Sequence, residues 1–161
     1  MTNREFYISR LKEEAPLFAK VIRAVPASQA DYRPHPKSRS AAELAWLFVG
    51  EMKSASELVE NRRVEWAGPK VGPGLEAAAA ALEGAQRELL ERVARIDGKA
   101  WARKAALLMG GEVGWSAPLG AMLWGFLFDA IHHRGQLSTY IRPAGGKVPS
   151  IYGPSGDDPG M

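Results

Sequence analysis

The sequence predicts an all-α fold, a four-helix bundle with one long crossover connection. Two observations predict it. Apolar residues recur at helical spacing in four long segments, and no segment shows the apolar–polar alternation of a half-buried strand. The hydrophobic fraction of 46% and charged fraction of 24% are those of a globular chain, and 161 residues fit a single domain, 1–161, with 146–161 as an irregular tail.

The first helix is expected over Phe6 to Val25, where Tyr7, Leu11, Phe18, Ile22 and Val25 share a face. Pro16 lies within it and predicts a kink or a brief break, because proline removes one helical hydrogen bond. Asp31 to Pro36 reads as an extended loop, since residues before proline avoid the helical region. The second helix starts at Ser38 or Ser40 and runs to about Arg62, and Ser40 followed by Glu43 fits a capping box. Gly68-Pro69 and Gly72-Pro73-Gly74 break the chain. A third, alanine-rich helix follows from Leu75 to about Ile96, with Leu82, Leu89 and Val93 on one face. Asp97 to Ser116 reads as a long connection with some extended backbone, because Gly110, Gly111 and Gly114 interrupt its apolar residues. The fourth long helix opens at Pro118, a favoured first-turn residue, and continues to about Arg142, where Pro143 and Gly145-Gly146 stop it.

Composition narrows the function classes. The absence of cysteine removes disulfides, thiolate ligands and a cysteine nucleophile together. No signal peptide is expected at the start, no apolar run is long enough for a transmembrane helix, and a cytoplasmic protein is the expectation. A net charge of +3 comes from 21 basic residues spread along the chain, without a basic stripe interleaved with aromatics. Neither nucleic acid nor membrane is therefore an expected partner.

Three polar residues interrupt the apolar stripes. On the second helix the stripe of Leu44, Leu47, Phe48, Ala55 and Leu58 contains Glu51. On the fourth, the stripe of Leu119, Met122, Phe126, Leu137 and Tyr140 contains Asp129 and His133, one turn apart on one face. A carboxylate among apolar side chains is costly unless it is paired or bound to a cation. Glu51, Asp129 and His133 would supply two oxygens and a nitrogen to a divalent ion such as Zn, Ni, Mn or Fe. The alternative is a buried polar network free of metal, in which Arg134 or Arg39 pairs with the buried Glu. His132 points about 100° away from His133 around the helix and suits a neighbouring or interface role. His35, between two prolines, reads as a surface residue.

The segments Tyr32-Arg33-Pro34-His35-Pro36, Glu43-Leu44-Ala45-Trp46, His132-His133-Arg134-Gly135-Gln136-Leu137-Ser138 and Gly146 to Pro154 together resemble the DinB family, also called the YfiT-like metal-dependent hydrolases. The resemblance covers nearly the whole chain. It implies a four-helix bundle with a crossover, a homodimer, and a divalent metal, commonly nickel or zinc. In the family that metal is held by one His on the second helix and a His-x-x-x-His pair on the last. It further implies hydrolysis, or transfer or isomerisation with an external thiol, acting on a small-molecule substrate. This sequence departs from the pattern. The second-helix His aligns with Leu47 and the first His of the pair with Asp129, leaving His133 alone unchanged, while Glu51 lies one turn after Leu47. A carboxylate-rich set favours a harder metal than three imidazoles do. His132 and Tyr140 are the candidates for proton handling beside it. A non-catalytic dimeric binding or scaffold module, with Glu51, Asp129 and His133 in a metal-free network, is the competing reading.

Overall fold

The computed structural model describes residues 1–160. Helix α1 (Asn3–Ala24) begins three residues before Phe6, because Thr2 and Glu5 form a capping box: the Glu5 amide donates to Thr2 Oγ1 and the Thr2 amide to Glu5 Oε2 at 2.7 Å. Pro16 lies inside α1 without interrupting it. Helix α2 (Ala41–Asn61) starts at the predicted box, with the Glu43 amide donating to Ser40 Oγ at 3.2 Å and the Ser40 amide to Glu43 Oε2 at 2.6 Å. Helix α3 (Leu75–Arg95) and the long helix α5 (Leu119–Ile141) fall where their periodicity places them. The chain between them also holds a short helix, α4 (Gly98–Ala102), capped by Asp97.

The fold is mostly helical but not all-α. Strands β1 (Arg63–Glu65), β2 (Lys104–Met109) and β3 (Glu112–Pro118) form one sheet in that order. β1 leaves α2 through Arg62, which turns the chain in the left-handed region at φ 60, and it pairs parallel with β2, Val64 opposite Leu107. β2 and β3 form an antiparallel hairpin in which Met109 faces Glu112 across Gly110-Gly111. Both glycines have positive φ, 62 and 83, which a two-residue hairpin turn of the mirror-image kind requires. The Glu65 carboxylate accepts the Gly110 amide at 2.6 Å, tying the end of β1 to that turn.

Helix α1 packs on α3 and α5, and α2 packs on α3 and α5, so the core lies among the four long helices. Phe18 and Phe48 meet edge to face across it at 5.4 Å between centroids. Arg134 does not serve Glu51, as one reading of the sequence had it. Its guanidinium donates to Glu14 on α1 at 2.6 Å, both side chains being at most 2% exposed. Tyr152, beyond α5, donates to Glu14 at 2.9 Å and accepts from Arg134 at 2.5 Å. The guanidinium also lies over the Phe18 and Tyr152 rings, 4.8 and 5.0 Å from their centroids. The described residues after α5 form no helix or strand, yet this cluster fastens them to the bundle of contacts between α1 and α5. No helix is long and apolar enough to cross a membrane among the described residues.

Breaking a buried ion pair strands the remaining charge, which costs about 3–5 kcal/mol. Because Arg10 also donates to Glu14, at 2.6 Å, Arg134→Met is expected near the lower end, about 3 kcal/mol, measured by urea denaturation. A loss under about 1 kcal/mol would mean that Arg10 and Tyr152 alone satisfy Glu14.

Candidate metal centre

Glu51 lies on the buried face of α2, one turn after Leu47 and flanked by Phe48, Met52 and Ala55. Its side chain is 1% exposed, and neither carboxylate oxygen has a hydrogen-bond partner among the described residues. In a metal-free network the protonated Glu51 could donate only toward the Asp129 carboxylate. Burial first, and then the nearby Asp129 carboxylate, push the Glu51 carboxyl up to about 9. At neutral pH the group is a neutral acid unless a cation arrives.

Asp129 and His133 meet Glu51 from α5. One ligand atom from each of the three residues lies within 4.8 Å of the others. Ligand atoms bound to one ion at about 2.1 Å are at most about 4.2 Å apart, so small side-chain rotations close the set. His133 Nε2 lies 3.7 Å from Asp129 Oδ1. The sequence placed all three within the apolar stripes, and here the structure corrects it. Only Glu51 is buried: the Asp129 side chain is 59% exposed and that of His133 21%. Both stand on the wall of a cleft rather than in the core.

That cleft has a volume of about 440 Å³. Leu47 and Phe126 line it from the helices, and Trp66, Leu107, Met109 and Trp115 line it from the sheet. The sheet absent from the sequence reading is thus what walls the site. Gly125 permits this closeness, because a side chain there would collide with the Trp115 ring. Arg39 also lines the cleft, and it raises no ion pair with Glu51.

A chain of hydrogen bonds orients His133. Its Nδ1 lies 3.0 Å from Gln136 Oε1. Gln136 Nε2 donates to the Tyr140 hydroxyl at 3.3 Å, and that hydroxyl donates to the Arg39 carbonyl at 3.1 Å. With the Gln136 amide so oriented, Nδ1 carries the proton and Nε2 offers its lone pair toward Asp129 and Glu51. Tyr140 is 2% exposed and does not line the cleft, so it positions His133 rather than meeting a substrate. His132 is exposed, its ring 5.2 Å from that of His133, and does not line the cleft either. His35 is exposed on its loop. The sequence reading missed Gln136, whose only signal was its i, i+3 spacing from His133.

The family model described as DinB family matches residues 2–159. Two crystal structures of DinB-like proteins share the fold. One, from Bacillus cereus, is 18% identical with a TM-score of 0.72, covering 92% of this chain and 97% of its own. The other, YjoA from Bacillus subtilis, is 15% identical with a TM-score of 0.70, covering 88% and 93%. No curated protein matches the chain.

In the metal-free protein the raised Glu51 carboxyl makes stability depend on pH. Below its ordinary value of 4.5 the carboxyl is protonated whether the chain is folded or not. As pH rises from 4.5 toward 9, the unfolded chain releases this proton while the folded one keeps it, so stability falls across that window. Glu51→Gln is expected to flatten this slope and to be the more stable protein at pH 8, by at least about 1 kcal/mol in denaturation midpoints with chelator present. Parallel pH profiles for the two proteins would contradict the assignment.

Proposed function

The chain belongs to the DinB family, and on that premise we propose that it binds one divalent cation through Glu51, Asp129 and His133 and acts on a small molecule held in the adjoining cleft. The four long helices are read as the family's four-helix bundle, the crossover being the stretch between α3 and α5 that carries α4 and the hairpin. The observation that carries the proposal is Glu51: a carboxyl buried to 1% exposure, unpartnered, and facing two further ligand types across the cleft. Leaving such a group unsatisfied costs about 1–3 kcal/mol, and a cation offsets that cost.

The two-carboxylate, one-imidazole set fits a hard or borderline ion such as Mn, Fe, Zn or Ni, and its three donors leave positions open. When bound, the ion supplies Lewis acidity toward a water or an external thiol, the chemistry of hydrolysis or thiol transfer. The chain's own residues do the rest. Glu51 gives up its proton and becomes a ligand. Gln136 and Tyr140 hold His133 with Nε2 toward the site. Trp66, Trp115 and Phe126 exclude water from the side where a substrate would lie. Having no cysteine, the chain offers no thiol of its own, so thiol transfer here requires an added one.

Protein purified without chelator is expected to carry about one equivalent of Mn, Fe, Zn or Ni by elemental analysis, lost in Glu51→Ala. Metal binding that survives Glu51→Ala would remove Glu51 from the ligand set, and none after incubation with each ion would leave a binding or scaffold role as the better reading. Gln136→Leu is expected to weaken metal affinity about 10–100-fold while the protein folds normally, since it removes only the group that orients His133. An unchanged affinity would show that the Gln136 contact does not tune the site.

A further inference from the structure

We propose that the cleft selects a small organic anion, an apolar ring system lying between the sheet and α5 with its carboxylate on the Arg39 guanidinium. The proposal rests on the metal reading above and adds the substrate's chemical class to it.

Three features of the cleft carry it. The first is the wall. Its helix side is Leu47 and Phe126, 3% and 7% exposed, and its sheet side presents Trp115 and Met109, which are 37% and 55% exposed although large and apolar. Large apolar side chains left open on the sheet side, facing a packed apolar helix side, form a slot for a flat apolar body. The second is Arg39. Its guanidinium is exposed, lines the cleft, and makes no hydrogen bond or ion pair among the described residues. Its neighbour Arg33 differs, reaching the Ser38 carbonyl at 3.3 Å and Glu43 at 3.5 Å. The Arg39 backbone is fixed nonetheless, since its carbonyl accepts from Tyr140 and the next residue, Ser40, caps α2.

The third is charge. A divalent ion with ionised Glu51 and Asp129 sums to zero, and a neutral His133 adds nothing. Arg39 then leaves the loaded cleft with one net positive charge at its mouth. A guanidinium fork there matches a carboxylate in both charge and shape.

Calorimetry with 2-naphthoate and its neutral analogue 2-naphthamide tests the inference on zinc-loaded protein. The acid is expected to bind at least ten-fold more tightly than the amide. In Arg39→Gln that preference is expected to vanish, with acid affinity down about ten-fold while zinc content and amide affinity hold. The exposed position of Arg39 keeps the variant folded, which a thermal melt verifies. Equal binding of acid and amide by the parent protein, or no binding of either, would overturn the proposal. So would a preference untouched by Arg39→Gln but abolished by chelator; there the carboxylate sits on the metal, and the metal reading survives alone. If the protein takes up no zinc, the metal reading has failed separately. The same comparison on that protein then decides the anion class, a preference lost in Arg39→Gln supporting it and its absence overturning it.

Discussion

Burying a carboxyl group with nothing to answer it is the constraint around which the site is arranged. Glu51 sits on the face of α2 that packs into the core, at the inner wall of the cleft and almost wholly buried, and neither of its oxygens finds a donor. The protein can hold such a group as a neutral acid, which explains why its carboxyl titrates far above its ordinary range. It can equally convert the group into a charged ligand once a cation is present. The same burial that penalises the apo state therefore makes the residue a proton-linked metal donor, and the rest of the site serves that exchange. Asp129 and His133 bring further donors from α5, and the Gln136–Tyr140–Arg39 chain fixes the imidazole that one of them needs.

A second buried charge shows the contrasting solution. Glu14 is as buried as Glu51, but it receives Arg134, Arg10 and Tyr152 together. Two acids of equal exposure on two helices of the bundle, α1 and α2, thus have opposite surroundings, one saturated with donors and one without any. Saturation fits a structural joint, here the one that ties the segment beyond α5 back to α1. Vacancy of donors fits a site built to receive something.

Local signals explain what the sequence revealed. Helix α2 was legible at its start because Ser40 and Glu43 lie three apart, and the same signal at Thr2 and Glu5, overlooked, would have placed α1 correctly. Glu51, Asp129 and His133 were legible as a group because helical periodicity set each on its stripe, and the structure does bring them together. Periodicity gives an angle around a helix but not how far neighbours cover it, and so the exposure of Asp129 was missed. The sheet was illegible for a different reason. β1 has only three residues and finds its partner some forty positions later, through a parallel pairing that no local pattern encodes. Its hairpin did leave a trace, since Gly110-Gly111 between apolar runs is the chemistry of a two-residue turn. The Glu14–Arg134 pair, 120 positions apart, left none.

The central claim is that Glu51 exchanges a proton for a metal ion, and proton release on metal binding measures it most directly. Zinc titrated into metal-free protein at pH 7, in buffers of differing ionisation enthalpy, is predicted to expel about one proton per ion bound through Glu51, which is protonated beforehand and absent from this count in Glu51→Gln. Glu51→Asp, which keeps a carboxyl but shortens its reach, is predicted to bind more weakly with the proton still released. Binding that expels no proton would contradict the account, because Glu51 would then either be ionised already or lie outside the coordination sphere.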